Sequence, residues 1–270
     1  MIGFNHLGRL GRLGNQMFQY AALKGIAAHK GYQWCIPNYT QEVDDGIGNM
    51  LKTELFDCFV MKNVSKEKNI SLLGGGNAPI LQERFFHFDQ EFFNGCPDNT
   101  SIWGFFQSEK WFKHIESEIR EDFSFPDSIK EPCKEMISSV DSPIALHIRR
   151  TDYLINSQHH NNLGLDYYKK AISKFDDDRN IIVFSDDPNW CKEQDIFSND
   201  RFLISENTDN RIDLCLMSMC SDFIIANSTF SWWGAWLADC GRVIAPTQWF
   251  GPANQHKDLK DLYPKHWELI

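Results

Sequence analysis

"PIALHIRRTDY", residues 143–153, sets an uninterrupted apolar run against two adjacent arginines and an aspartate. Short continuous apolar runs bounded by polar residues read as strands buried on both faces, as in parallel sheets. The sequence downstream keeps the same rhythm. "NIIVFS" (180–185), "RFLIS" (201–205), "DFIIA" (222–226) and "RVIAP" (242–246) are further apolar runs. Between them "GLDYYKKAISKF" (164–175), "NRIDLCLMSMC" (210–220) and "FSWWGAWLADCG" (230–241) carry helical spacing, and Gly241 ends the last. Strands alternating with helices predict an α/β fold with a parallel sheet and crossover helices.

Upstream the pattern is weaker. "GRLGNQMFQYAALKGIAAHKG" reads as a glycine-rich loop and then a helix, with Asn15 as its N-cap and Gly31 at its end. The doubled GRL at 8–13 leaves the first strand uncertain. "SIWGFFQ" (101–107) reads as a buried strand, and "SEKWFKHIESEIREDF" (108–123) as an amphipathic helix capped by Ser108. The aromatic stretch "ILQERFFHFDQEFF" (80–93) fits neither period. Proline and charge in "PDSIKEPC" (126–133) suggest a linker, and the expected domains are 1–140 and 141–270.

Bulk composition narrows the function. The chain has 270 residues, 42% hydrophobic and 24% charged, as in a folded globular protein. A formal net charge of -10 argues against a nucleic-acid binder, which needs a basic footprint. The eight cysteines form no C-x-x-C pair, so buried free thiols are expected rather than a zinc ribbon or redox motif. No stretch approaches the ~18–20 apolar residues of a membrane span. With no apolar leader in the first residues, the expected location is cytoplasmic, or peripheral at the membrane.

In open parallel sheets, ligands sit beyond the carboxyl ends of the strands. Three polar clusters fall there: His147, Arg149, Arg150 and Asp152 after the first strand; Ser185, Asp186 and Asp187 after the second; Asn227, Ser228, Thr229, Phe230 and Ser231 after the fourth. Arginine forks suit phosphate oxygens, and successive residues of an extended chain point opposite ways, so one of the two arginines should face the ligand. The competing reading of the pair is a surface ion-pair cluster. Residues 227–231 open a helix, where N–H groups and hydroxyls favour an anion; plain capping explains one of the three hydroxyls. Asp186 and Asp187 suit a ribose or the N–H edge of guanine, or simply cap the next turn. Trp232, Trp233 and Trp236 read as core. Asp176–Asp178 contains a D-x-D pattern of the kind that holds a divalent metal, but it precedes a strand and lies at the wrong end of the sheet; no metal and no cofactor are expected.

Taken together, GRLGNQMFQYA, FFQSEKWF, HIRRTDY, FSDDPNW and NSTFSWWGAWL resemble the bacterial-type α-1,2-fucosyltransferases of glycosyltransferase family 11, in order and over nearly the whole chain. The resemblance implies a GT-B type fold, two Rossmann-like domains facing across a cleft. It implies metal-free, inverting transfer of fucose from GDP-β-L-fucose to O2 of a terminal galactose on an oligosaccharide acceptor. It places His147 and Arg149 on the diphosphate and ribose, with Arg149 and Asp152 as the catalytic pair and Arg150 orienting the site. Ser228–Ser231 would hold phosphate, Asp186 or Asp187 would read guanine, and Gly14, Asn15 and Gln16 would lie near the acceptor. Asp152, Glu83 and His87 are the candidates for general base, His87 fitting ordinary aromatic packing as well. A transferase using another GDP-sugar, or a non-catalytic carbohydrate-binding protein, are the alternatives.

Overall fold

The structure, a computed structural model, describes residues 1–46 and 48–270. Its contacts divide the chain into two units. Unit 1 holds Met1–Phe125 and Lys257–Pro264; unit 2 holds Pro126–His256 and Lys265–Ile270.

In unit 1, β1 (Ile2–Gly3) leads through a glycine-rich loop into α1 (Leu13–Lys30), then β2 (Trp34–Cys35), β3 (Val43–Asp44), β4 (Met50–Leu51), α2 (Leu55–Cys58), β5 (Ile80–Gln82), α3 (Gln90–Gly95), β6 (Ser101–Trp103) and α4 (Glu116–Asp122). The sheet order is β2-β1-β6-β5, all parallel, with β3 and β4 forming a separate antiparallel pair. The first strand exists, and the doubled GRL lies in the loop that follows it. The N-cap of α1 is Arg12, not Asn15; Asn15 lies in the first turn, where its side-chain oxygen accepts from Gln107 Nε2 at 2.9 Å. Gly31 does close the helix in the left-handed conformation.

The expected strand 101–107 stops at Trp103, and the expected helix 108–123 breaks into two short 3-10 turns and α4, although Ser108 caps the first turn as anticipated. The aromatic stretch resolves into β5, a turn and α3. Asp89 caps α3 by accepting from the Glu91 and Phe92 N–H groups, and Arg84 grips the same carboxylate.

Unit 2 follows the expected alternation: α5 (Asp127–Ile137), β7 (Ile144–Ile148), α6 (Thr151–Ile155), α7 (Leu165–Ile172), β8 (Ile181–Ser185), α8 (Pro188–Lys192), β9 (Phe202–Ile204), α9 (Asn210–Met217), β10 (Asp222–Ile224), α10 (Thr229–Ala238), β11 (Val243–Ala245) and β12 (Glu268–Leu269). All pairings are parallel, in the order β12-β11-β10-β7-β8-β9. The chain therefore steps outward from β7 to β9, crosses back, and steps outward again from β10. The switch point lies between β7 and β10, the position that binds ligands in such sheets. Every residue of β7 is buried, because helices cover both faces. Ile144, Leu146, Ile148, Ile181, Val183 and Ile224 pack against Tyr168, Ala171 and Phe197. Trp232 and Trp233 are fully buried and pack edge to face at 5.0 Å, as core residues.

Two sequence expectations are corrected here. The segment 126–133 is no linker: it forms most of α5, with Pro132 inside the helix. An interior proline removes one helical hydrogen bond, but Ile129 and Cys133 are buried, and the Cys133 thiol lies 3.5 Å from the Ile212 carbonyl of α9. Packing outweighs the local propensity. The units accordingly meet after Phe125 rather than at 140, and unit 1 also takes residues 257–264. Seven cysteines are buried and free, and Cys240 is free but exposed.

Gly241 closes the turn after α10 with φ +72°, and a Cβ there would lie 1.6 Å from the main-chain oxygen of Ser221. Gly241→Ala thus combines an unfavourable backbone with overpacking. It is expected to destabilise unit 2 by at least about 1–3 kcal/mol, read as a lower urea midpoint; an unchanged midpoint would contradict this packing.

Candidate functional site

The carboxyl ends of β7, β8 and β10 bring the three polar clusters to one edge of the unit 2 sheet, since these strands are hydrogen-bonded neighbours. Arg149 lies at its centre. Its Nη2 donates to Asp152 Oδ2 at 2.8 Å, and its Nε lies 3.3 Å from Asp186 Oδ2. Burial opposes its charge, but the Asp152 bond and the field of Asp186 more than offset this and hold its pKa above the ordinary guanidinium value. Nη1 makes no bond within the described residues.

Arg150 turns the other way. Its Nε donates to Asp187 Oδ2 at 3.1 Å, and its guanidinium stacks 3.7 Å from the Trp190 ring centroid. The alternation expected of an extended chain separates the two like charges.

Two arginines thus face three carboxylates, and much of each carboxylate is taken by the protein itself. Asp186 accepts from the Arg150 N–H at 2.9 Å, the Thr151 N–H at 3.1 Å and the Thr151 hydroxyl at 2.5 Å, which caps α6. Asp187 caps α8 through Trp190 N, and its own N–H donates to Ser185 Oγ at 3.0 Å. Neither aspartate is free to serve chiefly as a base reader.

Two buried polar atoms beside Arg149 in the chain are without a partner among the described residues: His147 Nδ1 and Asp152 Oδ1. Burial, reinforced by the Arg149 charge, pushes the His147 imidazole down to about 3. His147 is therefore neutral at working pH and packs 5.7 Å from the Phe230 ring. Leaving buried polar groups unpaired costs about 1–3 kcal/mol each, so a ligand that meets them gains affinity.

The stretch 227–231 divides. Asn227 is buried, and its amide donates to the carbonyls of Asn161 at 2.9 Å and Trp249 at 2.8 Å, while its own carbonyl accepts from Tyr153 Oη at 3.0 Å. It holds loops together. Ser228 is the N-cap of α10 and accepts from Phe230 N at 3.4 Å. Ser231 is 0% exposed, and its hydroxyl donates to the Ala226 and Ser228 carbonyls, so it is not placed to hold a phosphate. Thr229 and Phe230 are half-buried at the helix start. The N-terminal N–H groups of α10 remain as anion donors, with Thr229 as the accessible hydroxyl.

The expected acceptor-side residues lie in unit 1. Gly14 is buried within α1 and Asn15 is half-buried. Gln16 is 0% exposed; its side chain accepts from Glu54 N and donates to the carbonyls of Lys52 and Gly11, so it staples the loop rather than meeting a sugar. His87 stacks on Phe85 with centroids 5.1 Å apart and its Nδ1 lies 3.6 Å from Asp258, in keeping with its packing role. Asp177 of the D-x-D segment pairs with Arg201 at 3.4 Å, before β8 and away from the carboxyl edge. Among the described residues no three His, Cys, Asp or Glu side chains gather in a way that suits a metal ion. None of the helices described is long and apolar enough to cross a membrane.

Sequence reasoning passed over Asp213. It lies in α9, one strand beyond β8, where Ser205 Oγ and Asn207 Nδ2 both donate to its Oδ1, at 2.7 and 3.0 Å. Burial raises its pKa despite those bonds. The signal was an acid directly before the apolar run "LCLM" (214–217) of the same helix, which a core-facing stripe does not explain.

The strand order of this parallel sheet places an arginine-centred cluster of charged side chains at its switch point. The solved structure of POFUT1 in complex with GDP superposes over 90% of this chain and 96% of its own, with a TM-score of 0.56 at 15% identity. The shared fold is of the GT-B type. A model of glycosyl transferase family 11 matches residues 2–270, and the chain belongs to that family. An α-1,2-colitosyltransferase of Escherichia coli is 33% identical over 96% of each chain. A galactoside α-(1,2)-fucosyltransferase 1 of Rattus norvegicus is 24% identical, over 84% of this chain and 62% of that protein.

Proposed function

We propose that this glycosyltransferase moves L-fucose from GDP-β-L-fucose to O2 of a terminal galactose, with inversion and without a metal. The observation that carries the reading is the pair of orphaned polar atoms, His147 Nδ1 and Asp152 Oδ1, on either side in sequence of a charged Arg149 with a free Nη1. A sugar diphosphate offers what they lack: hydroxyls for the carboxylate and imidazole, and phosphate oxygens for the guanidinium. As the sugar–phosphate bond breaks, charge builds on the diphosphate, and Arg149 with the α10 N–H groups stabilises it. Fixed donors of this kind supply most of the rate enhancement where no metal does so. With Asp186 and Asp187 engaged in capping, Asp213 is the carboxylate suited to the N–H edge of guanine.

A second donor has specific support, the colitosyl relative. Colitose is fucose without its 3-hydroxyl, so the two donors differ by one hydrogen-bonding group. The test is GDP release from GDP-fucose, GDP-colitose and GDP-mannose, with and without lactose, in EDTA. Release that requires lactose, is fastest with GDP-fucose and survives EDTA is expected. Faster release from GDP-colitose would move the assignment to the dideoxy sugar; loss in EDTA would end the metal-free reading; no release from any donor while GDP still binds would favour a binding protein.

A further inference from the structure

We propose that Tyr153 is a positioning residue of the diphosphate site: its ring supports the Arg149 guanidinium and its hydroxyl sets the first turn of α10, so that both anion-binding elements keep one arrangement. The proposal rests on the GDP-sugar reading above, and every group in it belongs to unit 2.

The ring serves Arg149. Tyr153 is the third residue of α6, four positions after Arg149 and so about one helical turn on. Asp152 and Asp186 hold two edges of the fork, at 2.8 and 3.3 Å. The Tyr153 ring covers a face, with Arg149 Cζ 5.6 Å from its centroid. A guanidinium over an aromatic face is attracted by the ring quadrupole, most strongly where water is excluded, and Tyr153 is only 9% exposed. The ring has a fixed support of its own. His160 stacks on it with centroids 4.1 Å apart and planes 12° apart. Main-chain pairing holds that loop: His160 bridges to Phe250, and the His159 carbonyl accepts from Gly251 N at 3.0 Å.

The hydroxyl serves α10. Tyr153 Oη donates to the Asn227 carbonyl at 3.0 Å and is also hydrogen-bonded to the Ser228 side chain. Ser228 Oγ in turn accepts from Phe230 N, in the first turn of the helix. One phenol therefore ties down the two residues that lead into α10, whose N-terminal N–H groups form the second anion-binding element. Burial pushes the phenol up to about 12, so it remains a donor near neutrality. The atoms left without a partner, His147 Nδ1 and Asp152 Oδ1, flank Arg149 in sequence. The residue that braces Arg149 thus also braces the helix end, and a polyanion meeting both gains from their being fixed together before it binds.

The test titrates wild type, Tyr153→Phe and Tyr153→Leu with GDP and with guanosine, in competition with a fluorescent GDP analogue, and follows urea unfolding alongside. Tyr153→Phe keeps the ring and loses the hydroxyl; Tyr153→Leu loses both. GDP affinity is expected to fall about 3–10-fold in Tyr153→Phe, the worth of one net hydrogen bond. It is expected to fall about 10–100-fold in Tyr153→Leu, which also forfeits the cation–π contact. Guanosine carries no phosphate and should bind both variants as it binds wild type. A merely structural Tyr153 would lower the urea midpoint and leave the ratio of GDP to guanosine affinity where it stands in wild type. That result, or unchanged GDP affinity in Tyr153→Phe, overturns the proposal. Should Tyr153→Leu fail to fold, Tyr153→Phe decides alone. A wild type that binds neither GDP nor guanosine would instead overturn the GDP-sugar reading itself, and the positioning role with it.

Discussion

Arg149→Ala is expected to lower turnover by about 10²–10³-fold, the scale for losing one preorganised charged donor at a developing negative charge. The structure makes the expectation sharper than the motif alone does. Arg149 counterbalances Asp152 at 2.8 Å and Asp186 at 3.3 Å. On the proposed reading, removing it would delete the donor to the diphosphate and would also leave two carboxylates facing an anionic ligand. Donor affinity should therefore fall along with kcat. Arg149→Lys keeps the charge but not the planar fork that serves Asp152 and a phosphate together, so it should recover donor affinity more than turnover. In Arg149→Ala, adding Asp152→Asn should restore part of the affinity by removing one repulsion. Steady-state kinetics and GDP titration on the three variants test this. A folded Arg149→Ala with near-wild-type kcat would remove Arg149 from the reaction.

The two units were unequally legible in sequence, for physical reasons. Each central strand of unit 2 is a continuous apolar run ended by a polar cluster, because helices bury both its faces. That geometry writes itself into the sequence, and it also tells which end of the sheet binds. Unit 1 has strands of two or three residues, too short to show a period. Its aromatic segments pack through edge contacts such as Phe106–Trp111 at 5.2 Å rather than along one face of a helix or strand. The segment 126–133 misled for a related reason: local proline signals are weaker than the burial of Ile129 and Cys133 against α9.

Within the site, residue types were readable and their engagements were not. Ser228 and Ser231 look equivalent in "NSTFSWW", yet one caps α10 and the other turns inward to two carbonyls. Gln16 and Asn227 are polar residues in polar stretches, yet both side chains serve main-chain groups far away in sequence. Hydrogen-bond partners of this kind depend on loops meeting in space. Asp186 shows the same limit: two N–H groups and a hydroxyl of the 150–151 turn converge on it across 36 positions or nearly so.

Lys24→Met should be the most destabilising single change in unit 1. Lys24 lies within α1, 5% exposed, and its Nζ is 2.6 Å from Asp122 Oδ2; Asp122 is itself 0% exposed. The same carboxylate accepts from Tyr20 Oη at 2.7 Å and from Asn63 N and Nδ2 at 3.0 and 2.8 Å. Those neutral donors orient the carboxylate, but Lys24 is the buried charge that balances it. Breaking a buried pair from one side typically costs about 3–5 kcal/mol, since it strands the other charge. Replacing both charges is far milder. Lys24→Met combined with Asp122→Asn should therefore recover much of the loss, with the amide oxygen still accepting from Asn63 and the Tyr20 hydroxyl turning to accept from the amide N–H. Urea unfolding of the single and double variants measures the difference. If the double variant is no more stable than Lys24→Met, the stranded Asp122 charge is not what makes the single change costly. If coupling of a few kcal/mol appears, this charge pair is what pins the one long helix of unit 1 to the segment that closes it.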